Sequence, residues 1–182
     1  DKRVAKALTL EGVLEDGYHP RMEAVHRANA EALRAIIAEH GWPGRALVGD
    51  EGVKAAWLVV QHAIGEPAFM RASLQMLREA SARADAPRWM SAYLEDRIAY
   101  HEGRPQRFGT HFDWDVAGDL SPLPIEDPED VDARRRAVGL EPLAERTRRM
   151  RQQALLEGEK PPADFAQRRA EMENWARSVG WR

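Results

Sequence analysis

The sequence predicts a mainly α-helical fold, bundle-like and organised as a single domain, with a short β-hairpin or pair of extended arms near 108–125. Three observations carry this expectation. Four successive stretches between Pro20 and Gly103 place apolar residues at helical spacing, Pro and Gly punctuate their ends, and only one later segment alternates polar with aromatic residues.

The first stretch runs from Pro20 to His40, with Met22, Val25, Leu33, Ile36 and Ile37 as its stripe, Pro20 in the first turn and Gly41 past the end. Gly41-Trp42-Pro43-Gly44 must break it, because proline cannot continue a helix and glycine admits unusual backbone angles. A second helix is expected from about Glu51 to Ile64. Its Val53, Ala55, Ala56, Trp57, Leu58, Val59 and Val60 make it apolar nearly all round, which suits the centre of a fold. Pro67 opens a third helix carrying Phe69, Met70, Leu74, Met76 and Leu77. A fourth begins near Pro87, carries Trp89, Met90, Tyr93, Leu94 and Ile98, and stops at Gly103; the short connections favour antiparallel neighbours.

After Gly103, His111 to Asp115 alternates, Ala117-Gly118-Asp119 turns, and Leu120 to Ile125 returns in extended form, its prolines limiting ladder pairing. Asp127-Pro128 starts a helix that reaches Val138, Glu141-Pro142 starts another, and Pro161 to Arg182 forms a loosely docked polar helix. The expected organisation is a helical domain over 1–145 with the hairpin as an insertion, and a C-terminal polar helical extension over 146–182. Trp42, Trp57, Trp89 and Trp114 read as core residues spread over separate elements.

Composition narrows the functional classes. The 182 residues include no Cys, which excludes thiol nucleophiles, Cys₄ zinc sites, iron–sulfur clusters and disulfide scaffolds. A net charge of −3 argues against a generic nucleic-acid binder. The longest apolar run, Ala55 to Val60, falls far short of the roughly 20 residues of a membrane span, so a cytoplasmic protein without a membrane partner is expected. Asp1-Lys2-Arg3 is followed by no long apolar segment, and the absence of an initiator Met suggests a trimmed or processed start. From Phe108 to Ala133 there are eight acids and no Lys or Arg, followed at once by Arg134, Arg135, Arg136, Arg146, Arg148, Arg149 and Arg151. Two solvated faces that attract one another is the simpler reading; a charged binding surface is the other.

Several blocks, in order, resemble an uncharacterised bacterial protein family. They are Asp16-Gly17-Tyr18-His19-Pro20-Arg21-Met22, His40-Gly41-Trp42-Pro43-Gly44, Ala55-Ala56-Trp57-Leu58 leading to Gln61-His62-Ala63, Tyr93-Leu94-Glu95-Asp96-Arg97, Gly103 to Thr110, and Ile125-Glu126-Asp127-Pro128 through Arg134-Arg135 to Leu140. The resemblance covers residues 11 to 145 and implies a domain of unknown function, with no reaction or cofactor attached. This chain has His111 where the family pattern carries Gln.

Candidate chemistry comes from polar residues on apolar faces. Gln61 and His62 stand on the most apolar helix, where a buried polar group left unsatisfied costs about 1–3 kcal/mol. His62 fits a general base, a metal ligand or a hydrogen-bonded core residue. Asn29 lies on the first stripe near His26, and Arg97, between Leu94 and Ile98, turns partly inward and requires an anionic partner, either a carboxylate of the protein or a ligand. Asp96 diverges from Arg97 by about 100° around the helix and so cannot face it. His111, Asp113 and Asp115 would share one side of a strand, which leaves a divalent-metal site open, although no H-E-x-x-H element accompanies them. Gly103 to Thr110 is a rigid loop offering Gln106 and Thr110, and Tyr18-His19 sits at a helix entrance where His19 could cap or line a pocket.

Two functions compete on this reading. In one, the protein is an enzyme or small-molecule binder for a small polar or anionic ligand, with His62 as general base, Gln61 orienting substrate or water and Arg97 holding an anionic group. Tyr18, His19, Asn29, Asp96, Gln106 and Thr110 then contact the substrate. No cofactor motif is present, so none is expected. In the other, the charged segments make a non-enzymatic protein-interaction domain.

Overall fold

A computed structural model describes residues 18–182, so the Asp1-Lys2-Arg3 start and the Asp16-Gly17 part of the first block lie outside the described residues. The fold is mainly helical. Seven α-helices and one two-stranded antiparallel hairpin occur among the described residues, which divide into two units, 18–86 and 87–182.

The first unit consists of α1 (Pro20–His40), α2 (Arg45–His62) and α3 (Pro67–Ala82), with α1 and α3 each packed on α2. His19 caps α1, its ring nitrogen accepting from Arg21 N at 3.2 Å. The stripe of α1 is rotated from the expected one: His26, Ala30 and Leu33 are buried, whereas Ile36 is exposed. Asn29 therefore sits at the edge of the buried face and is half-buried.

Two expectations for α2 are overturned. It begins at Arg45 rather than Glu51, as two helical stretches joined across Gly49, whose φ is 66°. The early start depends on Asp85, which accepts from Ala46 N through its side chain at 2.9 Å and from Arg45 N through its carbonyl at 2.8 Å. Those contacts satisfy amides that a helix start leaves unpaired. Gly44 allows the approach, because a Cβ there would lie 1.8 Å from the Asp85 carboxylate. Nor is α2 buried all round: Val53, Ala56, Val60 and Gln61 form one buried face, and Lys54, Ala55 and Leu58 are exposed. A run of apolar residues constrains what can be buried, but the number of neighbours decides how much is.

The second unit begins with α4 (Arg88–His101), the most enclosed helix of this unit. Met90, Ala92, Leu94, Ile98 and Ala99 are buried, and so are the polar Asp96 and His101. The hairpin follows, with β1 (Phe112–Trp114) and β2 (Leu120–Pro122) in the register Phe112 to Pro122, Asp113 to Ser121 and Trp114 to Leu120. Its turn is tied by the Asp115 carboxylate, which accepts from Ala117 N and Asp119 N. A single 3₁₀ turn over Pro128–Asp130 leads into α5 (Val131–Ala137), then come α6 (Leu143–Glu157) and α7 (Phe165–Ser178). Helix α6 packs on α5 and β2, and Arg151 donates to Leu120 O at 2.9 Å.

The tryptophans do not form the core as expected. Trp42, Trp57, Trp89 and Trp114 are half-buried, whereas Trp181, near the end of the chain, is only 4% exposed. The acidic and basic segments are also related less directly than charge suggests. Arg151 approaches Asp119 at 3.6 Å, but Arg134 donates to the carbonyls of Arg107, Glu126 and Asp127, and Arg146 and Arg149 turn to Glu141. Among the described residues no helix is long and apolar enough to cross a membrane.

Candidate functional site

In the second unit a rigid internal frame holds the loop after α4. Asp96, fully buried, accepts from Arg107 N at 2.7 Å, Phe108 N at 3.0 Å, Thr110 N at 2.9 Å and Thr110 Oγ1 at 2.9 Å. Burial raises the Asp96 carboxyl above the ordinary carboxylate value and these donors oppose that rise. Gln106 works alongside it. Its amide nitrogen donates to His111 O and Leu123 O, and its amide oxygen accepts from His111 N, so both donors and the oxygen bind the loop to the returning arm. Arg135, 1% exposed, completes the frame by donating to Phe108 O, Gly109 O and Glu141 O. Gly109 stands at a φ of 65°, where a Cβ would come within 2.7 Å of Leu143.

Asp96, Gln106 and Thr110 thus have their polar atoms engaged within the frame. Those bonds give the three residues a supporting role in the loop, and Gln106 also lines the cavity beside it.

Against this frame lies a cavity of about 940 Å³, at the upper end of the size range of small-molecule sites. Tyr100, His101 and His111 line it, as do Arg168 and Arg182. Helical spacing puts Arg97, Tyr100 and His101 on neighbouring positions of α4, and the loop returns His111 onto Tyr100 with ring centroids 5.2 Å apart. His101 stacks on Trp181 at 5.1 Å and meets Trp175 edge-on at 5.6 Å. Arg168, on α7, pairs with Asp113 at 2.7 Å, and Arg182 donates to the carbonyls of His101 and Tyr100.

The electrostatics of this wall are unusual for histidine. Burial, then the positive charges of Arg97 and Arg182, pushes His101 down to about 3. Burial, Arg97 and His101 push His111 down to about 3 as well. Both imidazoles are therefore neutral at neutral pH, able to donate and accept hydrogen bonds but poor as bases. Tyr100 is raised by burial and by Asp113, and Arg97, half-buried, is lowered by burial.

His111, Asp113 and Asp115 all line the cavity but do not gather around one point. The strand spans only Phe112–Trp114, Asp113 turns to Arg168, and Asp115 is used by its turn and by Ser121 Oγ at 2.8 Å. Among the described residues no three His, Asp or Glu side chains gather as a metal site would require.

The remaining expected residues belong to the first unit. Gln61 is 3% exposed and His62 half-buried. The His62 ring lies 5.0 Å from that of His26, whose Nδ1 is hydrogen-bonded to the Tyr18 hydroxyl at 2.8 Å. Burial, reinforced by Glu23, raises the Tyr18 phenol above its ordinary value, so the hydroxyl stays protonated and able to donate.

The model of a family of unknown function, DUF6624, matches residues 16–172. The chain belongs to the DUF6624 family. No curated protein and no solved structure matches this DUF6624 chain. Tyr100, His101, Arg168 and Arg182 are not singled out by the sequence, and Arg135 stands out there only as part of a basic run. For Tyr100 and His101 a signal existed, since they lie three and four residues after Arg97 on the same helix.

Proposed function

We propose that this DUF6624 protein binds a small polar or anionic molecule in the cavity of its second unit, and that the site is organised for recognition rather than proton abstraction. The observation that carries the reading is a cavity of about 940 Å³ whose polar wall combines four guanidinium groups, a phenol and two neutral imidazoles with three carboxylates, beside a hydrogen-bonded frame. A general base works best with a pKa near the working pH, and imidazoles near 3 are far from it. As fixed neutral donors and acceptors beside Arg97 and Arg182, they suit a ligand whose charge is negative or whose polar edge needs matching.

The test is a thermal-shift screen of small polar metabolites against the whole chain, repeated with Ala170→Trp, which introduces an indole into the cavity wall. Compounds that stabilise the parent and not the variant support the reading. A screen with no such compound sinks it.

A second reading, acid–base or hydrolytic chemistry at His62 with Gln61 orienting substrate or water, is favoured by the Tyr18 to His26 hydrogen bond at 2.8 Å and the adjoining His62 ring. Such a pair can hold one imidazole tautomer in place for its neighbour. Turnover of a hydrolysable substrate that falls by about 10²–10⁴ in His62→Gln while folding is retained would favour it over binding alone.

A further inference from the structure

The four arginines on the cavity wall are not equivalent. Arg104 is paired with Glu102 and Arg168 with Asp113. Arg182 donates to two backbone carbonyls, which satisfies donors and leaves its charge uncancelled. Arg169, on α7, has neither a carboxylate nor a hydrogen-bond acceptor among the described residues. The acids on the same wall are already engaged: Asp113 by Arg168, Asp115 by the hairpin turn, and Glu173 by Arg177 at 3.6 Å. Hydrogen bonds cancel the charge of Asp115 no more than that of Arg182, so Arg169 and Arg182 stand against Asp115 and one surplus positive charge remains on the wall. The other walls are apolar, several of them flat, and include Trp114, Phe165, Leu123, Pro124 and Met172.

We infer that the occupant of this cavity is an organic monoanion with a flat apolar body, an aromatic or heteroaromatic carboxylate, whose charged group is met by Arg169 and whose ring lies on the apolar wall. The inference rests on the binding reading above and names the ligand class for the same cavity. A guanidinium fork matches a carboxylate in shape as well as charge. Flat apolar bodies gain from burial against aromatic side chains, which offer area at little entropic cost. The neutral imidazoles of His101 and His111 are consistent with a ligand of low charge, since they offer hydrogen bonds without adding cations.

A phosphate dianion fits less well. Among the described residues no lysine lines the cavity, whereas three carboxylates do. The N-terminus of α7, the one helix start beside the cavity, is already closed by Asp164, whose carboxylate accepts from Gln167 N at 2.8 Å.

Calorimetric titration of the whole chain tests the assignment, with indole-3-carboxylate, its neutral amide and inorganic phosphate as probes. The carboxylate is expected to bind at least about tenfold more tightly than the amide, because one charge-assisted pair is worth about that much. Arg169→Gln should weaken the carboxylate by about tenfold and the amide much less, so that the preference is lost, and phosphate should neither bind nor compete. Equal affinity for acid and amide at a site sensitive to Ala170→Trp overturns the charge assignment while the binding reading stands. An acid preference that survives Arg169→Gln, or competition by phosphate, overturns it as well. If neither acid nor amide, nor any screened compound, gives a signal that depends on Ala170, both readings fall.

Discussion

The rings of Tyr100 and His111 lie face to face, 5.2 Å between centroids and 10° from parallel, although the two residues come from a helix and a loop. The stack buries an imidazole beside His101 and close to Arg97, and its thermodynamic consequence is a sensitivity to acid. His101 and His111 each fall from 6.5 to about 3 on folding. Between those values the unfolded chain binds more protons than the native one, so stability is fully present above pH 6.5 and is lost as pH falls toward 3.

The expected slope is roughly 1 kcal/mol per pH unit for each imidazole. Asp96 works in the opposite sense, since its raised carboxyl makes the native state take up a proton before the unfolded one, above about 3.8. Urea unfolding at a series of pH values measures the sum, and His101→Gln and His111→Gln should each flatten the loss between pH 6 and 4. An unchanged slope in both variants would show that the imidazoles are not held neutral by folding.

Asp96→Asn should destabilise by about 2–3 kcal/mol, because an amide turns donors toward the amides of Arg107, Phe108 and Thr110 that now point at acceptors. Thr110→Val removes only the hydroxyl bond and should cost about 1 kcal/mol. Denaturant midpoints at constant m-value check both. An Asp96→Asn protein as stable as the parent contradicts the account of the loop.

Arg135→Lys keeps the charge and loses the planar fork that reaches Phe108 O, Gly109 O and Glu141 O. A loss of about 2–3 kcal/mol is expected, since one ammonium cannot reproduce the geometry by which the guanidinium serves three carbonyls, two of them in buried bonds. Hydrogen exchange at residues 107–110 should accelerate in the same variant. Protection equal to the parent's would place the support of that loop elsewhere.

In the first unit, Tyr18→Phe removes the hydroxyl that reaches His26 and should cost about 1 kcal/mol. The NMR signal of the His26 ring should move at the same time, reporting the loss of the bond to Nδ1. No change in either quantity would mean that the hydroxyl is satisfied as well by water.

The sequence by itself determined that, among the described residues, four helices precede the hairpin and where the hairpin turns, though not where α2 begins. Apolar spacing, Pro20 and Pro67 at helix starts, and Ala117-Gly118-Asp119 between alternating arms are local signals, and the structure keeps them. It also placed Gln61, His62, Asn29 and Arg97 on inward positions; Gln61 is buried and the other three are half-buried, whereas the buried Asp96 was not among them. Tertiary structure decided what those residues touch. Asp85 sets the start of α2 from 39 residues away, and Asp96, Gln106 and Arg135 make their bonds largely to backbone amides and carbonyls. Backbone groups are the same at every residue, so no pairing of residue types in the sequence announces such bonds. The cavity was hidden for a related reason: its walls join α4, the hairpin and α7, and a helix such as α7, polar along most of its length, gives little sign of the face it will turn to a site.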